Sequence, residues 1–160
     1  MDCLVNISFC NLNSSEISNK ELECAKMLVR KVIIMQILSE QANFQRPTSE
    51  SLQVTLTGAL RSKVDNNGVN VMVALYESGL VIDCPTGENK GKVISNDFVV
   101  RKLEKLCTVK DTSPKKTVSG TVTFTLWDSF NSNKCAIAVF LQNSSHQIFG
   151  SQNFQLPDDM

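Results

Sequence analysis

The sequence predicts a single α+β domain, with a mostly antiparallel twisted sheet and two helices packed on one face. Three observations predict this class. The chain has 160 residues, which is the length of one domain. Two segments carry apolar residues at helical spacings of three and four, and several others alternate apolar and polar residues as half-buried strands do. We expect residues 1–150 to form the domain and residues 151–160 a flexible C-terminal tail.

The first segments predict a short strand followed by a long helix. Apolar and polar residues alternate from Val5 to Phe9, as in a strand. Ser18 and Glu21 have the spacing of a capping box, in which each side chain bonds a free backbone N–H of the first helical turn. A broad apolar stripe then predicts a helix to about Ala42. Its members include Leu22, Ala25, Val29, Val32 and Met35.

One run inside this predicted helix leaves an alternative open. The side chains of Val32–Ile34 are β-branched, which weakens helix preference and suits a strand as well. The Arg46-Pro47 step ends the element in either case, because the residue before proline disfavours helical geometry.

The middle of the chain predicts an antiparallel hairpin. Residues Leu52–Thr57 alternate with a period of two, and Val69–Leu75 do the same. Between them, Asn67-Gly68 supplies a dipeptide that readily adopts positive φ in a tight turn. The two runs are therefore expected to pair with each other.

A second helix is predicted after the loop that follows Cys84. Ser95 or Asn96 can cap it, and its apolar residues fall at spacings of three and four up to Cys107. These apolar residues are Val99, Val100, Leu103, Leu106 and Cys107.

The clearest strand pattern lies in the last third. From Thr117 to Leu126, threonine and serine alternate strictly with residues that are mainly apolar, which predicts a long strand with one solvated face. Cys135–Leu141 is apolar at nearly every position, which predicts a central strand covered on both faces. A last short apolar stretch follows at Ile148-Phe149.

Composition argues against several classes of function. The formal net charge is zero, which argues against a domain held on nucleic acid by its overall charge. The six cysteines include no pair at zinc-ligand spacing, and His146 is the only histidine. A lone imidazole without an oriented partner gives no catalytic arrangement. We therefore predict no catalytic residue, no metal, no cofactor and no enzymatic activity.

The location is predicted from the same features. No apolar run approaches the roughly 20 residues of a membrane-spanning helix, and the first residues lack the pattern of a signal peptide. We expect a cytoplasmic protein whose cysteines are free thiols.

Basic residues form the one charge asymmetry of the chain. The segment from Arg101 to Lys116 has six basic residues and only two acidic ones, Glu104 and Asp111. Exposed lysine and arginine side chains can contact the phosphates of a membrane surface or of RNA, or can simply be solvated. The candidate contact residues are Lys26, Arg30, Lys31, Arg101, Lys102, Lys105, Lys110, Lys115 and Lys116.

The threonine-rich strand offers a second candidate surface. Its outward side chains are polar but uncharged, whereas edge strands normally carry lysine, proline or a bulge that prevents pairing with other chains. If this strand or Leu52–Thr57 lies at an edge, we expect self-association. If it is an inner strand, the same pattern describes an ordinary solvated face.

Two segments resemble the core of rhabdovirus matrix proteins, especially the short ones of plant-infecting members. They are Leu56–Ser62, a strand that runs into a glycine turn, and Gly120–Asp128. The resemblance covers roughly Leu4 to Leu141. It implies a non-enzymatic protein that self-associates, binds the nucleocapsid, contacts an anionic membrane surface and resides in the virion.

We therefore expect a structural or interaction protein that self-associates and bridges nucleocapsid and membrane. The alternative is a monomeric viral or cellular adaptor or antagonist that binds a host protein. Sequence-specific binding of nucleic acid is not expected in either case.

Overall fold

The computed structural model describes residues 38–60, 67–158 and 160, and nine β-strands contain most of them. The strands are β1 (Leu38–Thr48), β2 (Ser51–Leu60), β3 (Val69–Glu77), β4 (Leu80–Asp83), β5 (Val93–Asn96), β6 (Val99–Val109), β7 (Thr117–Thr125), β8 (Cys135–Gln142) and β9 (Ile148–Gln155).

These strands form two main sheets and a small hairpin. One sheet has three strands in the order β1-β2-β7, and the other has four in the order β6-β3-β8-β9. β4 and β5 pair with each other only. All pairings are antiparallel.

The main core lies between the two sheets, which makes the fold a β-sandwich. Alternation along β2 turns Leu52, Val54 and Leu56 inward, and each is no more than 2% exposed. β3 and β8 contribute the facing residues of the second sheet. They include Val71, Val73, Leu75, Ile137, Val139 and Leu141.

A second apolar cluster lies on the opposite face of the four-stranded sheet. It includes Met72, Tyr76, Leu103 and Phe140. Every residue of β8 is buried, because one set of its side chains enters each cluster. The predicted central strand over Cys135–Leu141 is thus confirmed.

The predicted α+β class is wrong, because the described residues are almost entirely β. Within them, the helical structure is limited to one 3-10 turn at Ser132–Lys134. The predicted second helix, from Ser95 or Asn96 to Cys107, lies instead mainly in β6.

Two β-bulges in β6 explain this error. Leu75 and Tyr76 pair with Lys102 and Val100, which leaves Arg101 as an extra residue. A second register shift leaves Leu106 unpaired in the same way. Each extra residue shifts the alternation of apolar and polar side chains by one position. The apolar residues of β6 therefore fall at spacings of three and four, as they would in a helix.

Most of the predicted first helix lies outside the described residues, as does the strand from Val5 to Phe9. The end of that helix is wrong, because Leu38–Ala42 belongs to β1. The short polar side chains that alternate after Ser39 fit the edge of a sheet.

The predicted hairpin has the right strands and the wrong partners. Leu52–Thr57 lies in β2 and Val69–Leu75 in β3, but these two strands belong to different sheets. At the other end of the chain, β9 continues to Gln155, and Leu156 is only 5% exposed in the main core. Residues 151–155 of the predicted tail therefore lie in a strand.

Candidate interaction surface

Among the described residues, the outward side chains of the three-stranded sheet are mostly polar and carry no charge. Its inward residues fill the main core, so the alternate residues point to solvent. We call this surface the polar face. Its residues are Gln41, Asn43 and Gln45 of β1, Ser51, Gln53, Thr55 and Thr57 of β2, and Thr117, Ser119, Thr121, Thr123 and Thr125 of β7.

The strand register sets these side chains in rows across the sheet. Asn43, Thr55 and Thr121 are direct neighbours on the three strands. The hydroxyl oxygens of Thr55 and Thr121 lie 3.0 Å apart in a hydrogen bond. Because the side chains are short and the β2–β7 register has no shift, the surface between these strands is regular.

The absence of charge on the polar face is unusual for this chain. A fifth of all residues are charged, and such residues are almost always exposed. β7 is also an edge strand of its sheet, and it contains no lysine, no proline and no bulge. The described part of this edge therefore lacks the usual features that prevent pairing with another chain.

One end of the sandwich contains a buried ion pair. Glu77, at the end of β3, is 4% exposed, and its Oε2 atom lies 3.7 Å from Nη1 of Arg101. The bulge in β6 supplies this arginine. Burial raises the pKa of Glu77, while the charges of Arg101 and Lys134 act in the opposite direction.

Aromatic side chains pack next to this ion pair, on the side toward the three-stranded sheet. The guanidinium carbon of Arg101 lies 4.4 Å from the ring centroid of Trp127, which follows β7. Trp127 contacts Phe130 edge to face, with ring centroids 5.3 Å apart. Arg46, near the end of β1, lies 5.5 Å from the Phe130 ring. No local sequence pattern indicates this set, because most of its members are distant in the chain.

The cysteine beside this ion pair is held as a thiol. Cys135 is 2% exposed and pairs in register with Glu77. Burial, followed by the charge of Glu77, raises the pKa of Cys135 to about 12. A thiol of this kind is a poor nucleophile at neutral pH, because the thiolate is the reactive form.

A half-open cleft of about 370 Å³ lies at the same end of the four-stranded sheet. The rings of Tyr76 and Phe98 form its apolar side, with centroids 5.8 Å apart. Phe98 has a φ of 57°, a backbone conformation that a bulky side chain rarely adopts. The cleft lies away from every strand of the polar face.

The described members of the predicted basic set are spread over β6 and the loop that follows it. Lys26, Arg30 and Lys31 lie outside the described residues. Arg101 is paired with Glu77, and the register of β6 places Lys102 and Lys105 on opposite faces of their sheet.

The other three predicted basic residues, Lys110, Lys115 and Lys116, lie in the loop between β6 and β7. Nζ of Lys116 lies 3.8 Å from the Asp111 carboxylate. Hydrogen bonds from Ser113 lower the pKa of Asp111, and Lys116 adds to this effect. Contact between the basic residues and an anionic surface stays a prediction.

The described residues show no metal centre and no membrane-spanning helix. They contain no group of three His, Cys, Asp or Glu side chains that could hold a metal ion. Within residues 38–60 and 67–158, no helix is long and apolar enough to cross a bilayer.

A family profile described as "Protein of unknown function (DUF1223)" matches residues 14–142, which is more than half of the chain. The chain belongs to the DUF1223 family. This match corrects the resemblance to rhabdovirus matrix proteins, whose two segments have β-strand patterns found in many folds. The predicted descriptions as a viral matrix protein and as a virion protein are wrong for the same reason. The location in the virion that this resemblance implied is wrong as well.

Similar solved structures are distant from this DUF1223 chain. A domain of the outer membrane lipoprotein Omp28 from Porphyromonas gingivalis has 13% identity and a TM-score of 0.42, covering 75% of this chain and 88% of its own. HBP35 of the same organism has 13% identity and a TM-score of 0.48, covering 74% and 41%. A β-glucosidase from Kluyveromyces marxianus has 10% identity and a TM-score of 0.32, covering 75% and 14%.

These structural likenesses carry no argument about the function of the DUF1223 chain. No curated protein shows significant similarity to it.

Proposed function

We propose that this DUF1223 chain is a non-enzymatic interaction domain that self-associates through the polar face. The observation that supports this proposal is that no charged residue occurs among the described side chains that alternate outward along β1, β2 and β7. Two identical copies that meet through such a face have no like charges to oppose them.

The chemistry of the polar face favours a second copy as its partner. Hydroxyl and amide side chains both donate and accept hydrogen bonds, so a surface made of them is complementary to itself. The net charge of zero also leaves little long-range repulsion between copies.

The size of the polar face sets the expected strength of self-association. Three strands of about nine residues cover about 30 Å by 14 Å, or roughly 400 Å². A stable interface usually buries about 800 Å² per partner. We therefore expect weak, reversible association that depends on protein concentration.

Sedimentation velocity over a wide concentration range tests this proposal. The wild-type sedimentation coefficient should rise with concentration, and Thr123→Lys should abolish the rise because it places a charge within the polar face. Thr86→Lys is the matched control, since Thr86 is an exposed threonine in the loop between β4 and β5. Thermal unfolding should show that both variants fold.

Two results of this experiment oppose the proposal. One is a wild-type coefficient that is constant at all concentrations. The other is an association that Thr123→Lys and Thr86→Lys reduce equally, because the contact would then lie elsewhere.

A monomeric adaptor that binds a different protein is the second candidate function. The small hairpin favours it, because Val81 of β4 and Val93 of β5 are 68% and 65% exposed. The register places them diagonally opposite each other on one face of the hairpin. Exposed apolar neighbours of this kind can contact a protein partner. A wild-type protein that stays monomeric, with a partner whose binding Val81→Asp abolishes, would support this candidate.

A further inference from the structure

The cleft beside Tyr76 and Phe98 has the shape and chemistry of a small-molecule site. Its volume of about 370 Å³ lies at the lower end of the usual range for such sites, so only a small ligand fits. Four separate parts of the chain form its walls: the turn after β3, the residue before β6, the 3-10 turn before β8 and the end of β9.

The aromatic wall is fixed in place by its backbone. The N–H of Phe98 donates a hydrogen bond to Oγ of Ser78, 3.1 Å away. In the opposite direction, the N–H of Gly79 donates to Oδ1 of Asp97 at 2.7 Å. These two bonds tie the loops together and hold Phe98 at its unfavourable positive φ. A bulky residue kept in this conformation is typical of binding sites.

The cleft lining also includes polar side chains and one basic residue. Among them are Lys134, Asn133 and Gln155. Within the described part of the chain, Lys134 has no carboxylate within 4.0 Å of its ammonium group. Of the carboxylates beside the cleft, Asp97 accepts from Gly79, and Glu77 lies closest to Arg101 while also interacting electrostatically with Lys134.

We propose that this cleft binds a small carboxylate with an aromatic body. The ring of the ligand packs against Phe98 and Tyr76, and its carboxylate accepts a hydrogen bond from Lys134. The amides of Asn133 and Gln155 supply further donors to the carboxylate oxygens. This site is independent of the proposed self-association, because it includes no residue of the polar face.

Titration with phenylacetate, followed by protein amide chemical shifts, tests the proposal. Phenylacetamide is the uncharged probe of the same shape. We expect phenylacetate to bind at least tenfold more tightly, with shifts centred on Phe98 and Lys134. Lys134→Gln should remove the preference for the acid, whereas the matched variant Lys105→Gln, on the exposed part of β6, should preserve it.

A second variant separates the ring from the charge. Phe98→Asn removes the aromatic wall with a residue that tolerates positive φ, so the loop geometry is kept. It should weaken the binding of both probes at least tenfold. The proposal is overturned by no binding at millimolar concentration, by equal affinity for the two probes, or by a preference for the acid that survives Lys134→Gln. Each of these results can occur whether or not the protein self-associates.

Discussion

Burial controls the reactivity of individual side chains in this fold, and Cys135 is the clearest case. Its raised pKa of about 12 keeps the thiol protonated at neutral pH. We expect iodoacetamide to label Cys84, which is partly exposed, while Cys135 stays unlabelled in the native protein. Mass spectrometry of peptides after short labelling measures this. Denatured protein should label at both sites, and rapid native labelling of Cys135 would contradict the prediction.

Glu77 gives the fold a specific pH dependence. Because burial raises its pKa above the usual value of 4.5, the folded state holds this proton over a range in which the unfolded state has lost it. The contribution of Glu77 to the free energy of unfolding therefore falls as the pH rises from 4.5 through the raised pKa. In Glu77→Gln the side chain does not titrate, so the stability of the wild type relative to this variant should fall across that range.

Denaturant unfolding of both proteins at several pH values measures the difference. The comparison cancels the other titrating groups, including Asp111, whose pKa is lowered and whose effect has the opposite sign. A wild type that gains stability relative to Glu77→Gln as the pH rises would contradict the raised pKa.

At the scale of elements, strict alternation made β7 predictable, and a continuous apolar run made β8 predictable. Threonine or serine at every second position of β7 and continuous apolar sequence in β8 identify strands directly. β6 could not be predicted in this way, because the bulges at Arg101 and Leu106 interrupt its period. The start of β1, Leu38–Ala42, is predicted as the end of a helix because its sequence continues an apolar pattern from the preceding segment, and only pairing with β2 defines it as a strand.

The candidate surfaces were predictable to the same extent. The threonine row of β7 was identified from the sequence, but Gln41, Asn43 and Gln45 were not, since they had been placed at the end of a helix or beyond it. The pair of Glu77 and Arg101 depends on a bulge and on contacts between distant segments. No local pattern in the sequence indicates it.

The contact between Leu106 of β6 and Gly120 of β7 can be tested by substitution. A Cβ atom added at Gly120 would lie 3.0 Å from Cγ and Cδ1 of Leu106, so a larger residue there requires the Leu106 side chain to shift by a few tenths of an ångström. Gly120→Ala should cost about 1–3 kcal/mol of stability through overpacking. Leu106→Ala removes the clashing atoms, so the double variant should lose less than the sum of the single losses. Chemical unfolding of the four proteins measures this coupling, and additivity within about 0.5 kcal/mol would contradict the contact.

For the whole molecule, the two sheets have different outer faces. The four-stranded sheet bears apolar side chains on both faces, whereas the three-stranded sheet offers amides and hydroxyls outward. This difference explains why we place intermolecular contact on the polar face. The family assignment leaves the activity open, so the exterior of the sandwich is the part of the molecule that experiments should address first.

The most direct measurement is a series of two-dimensional amide NMR spectra at increasing protein concentration. Self-association through the polar face predicts progressive shifts in β1, β2 and β7, centred on Thr55 and Thr121, with the β4–β5 hairpin unchanged. Spectra that are identical at every concentration, or shifts confined to the hairpin around Val81 and Val93, would contradict it.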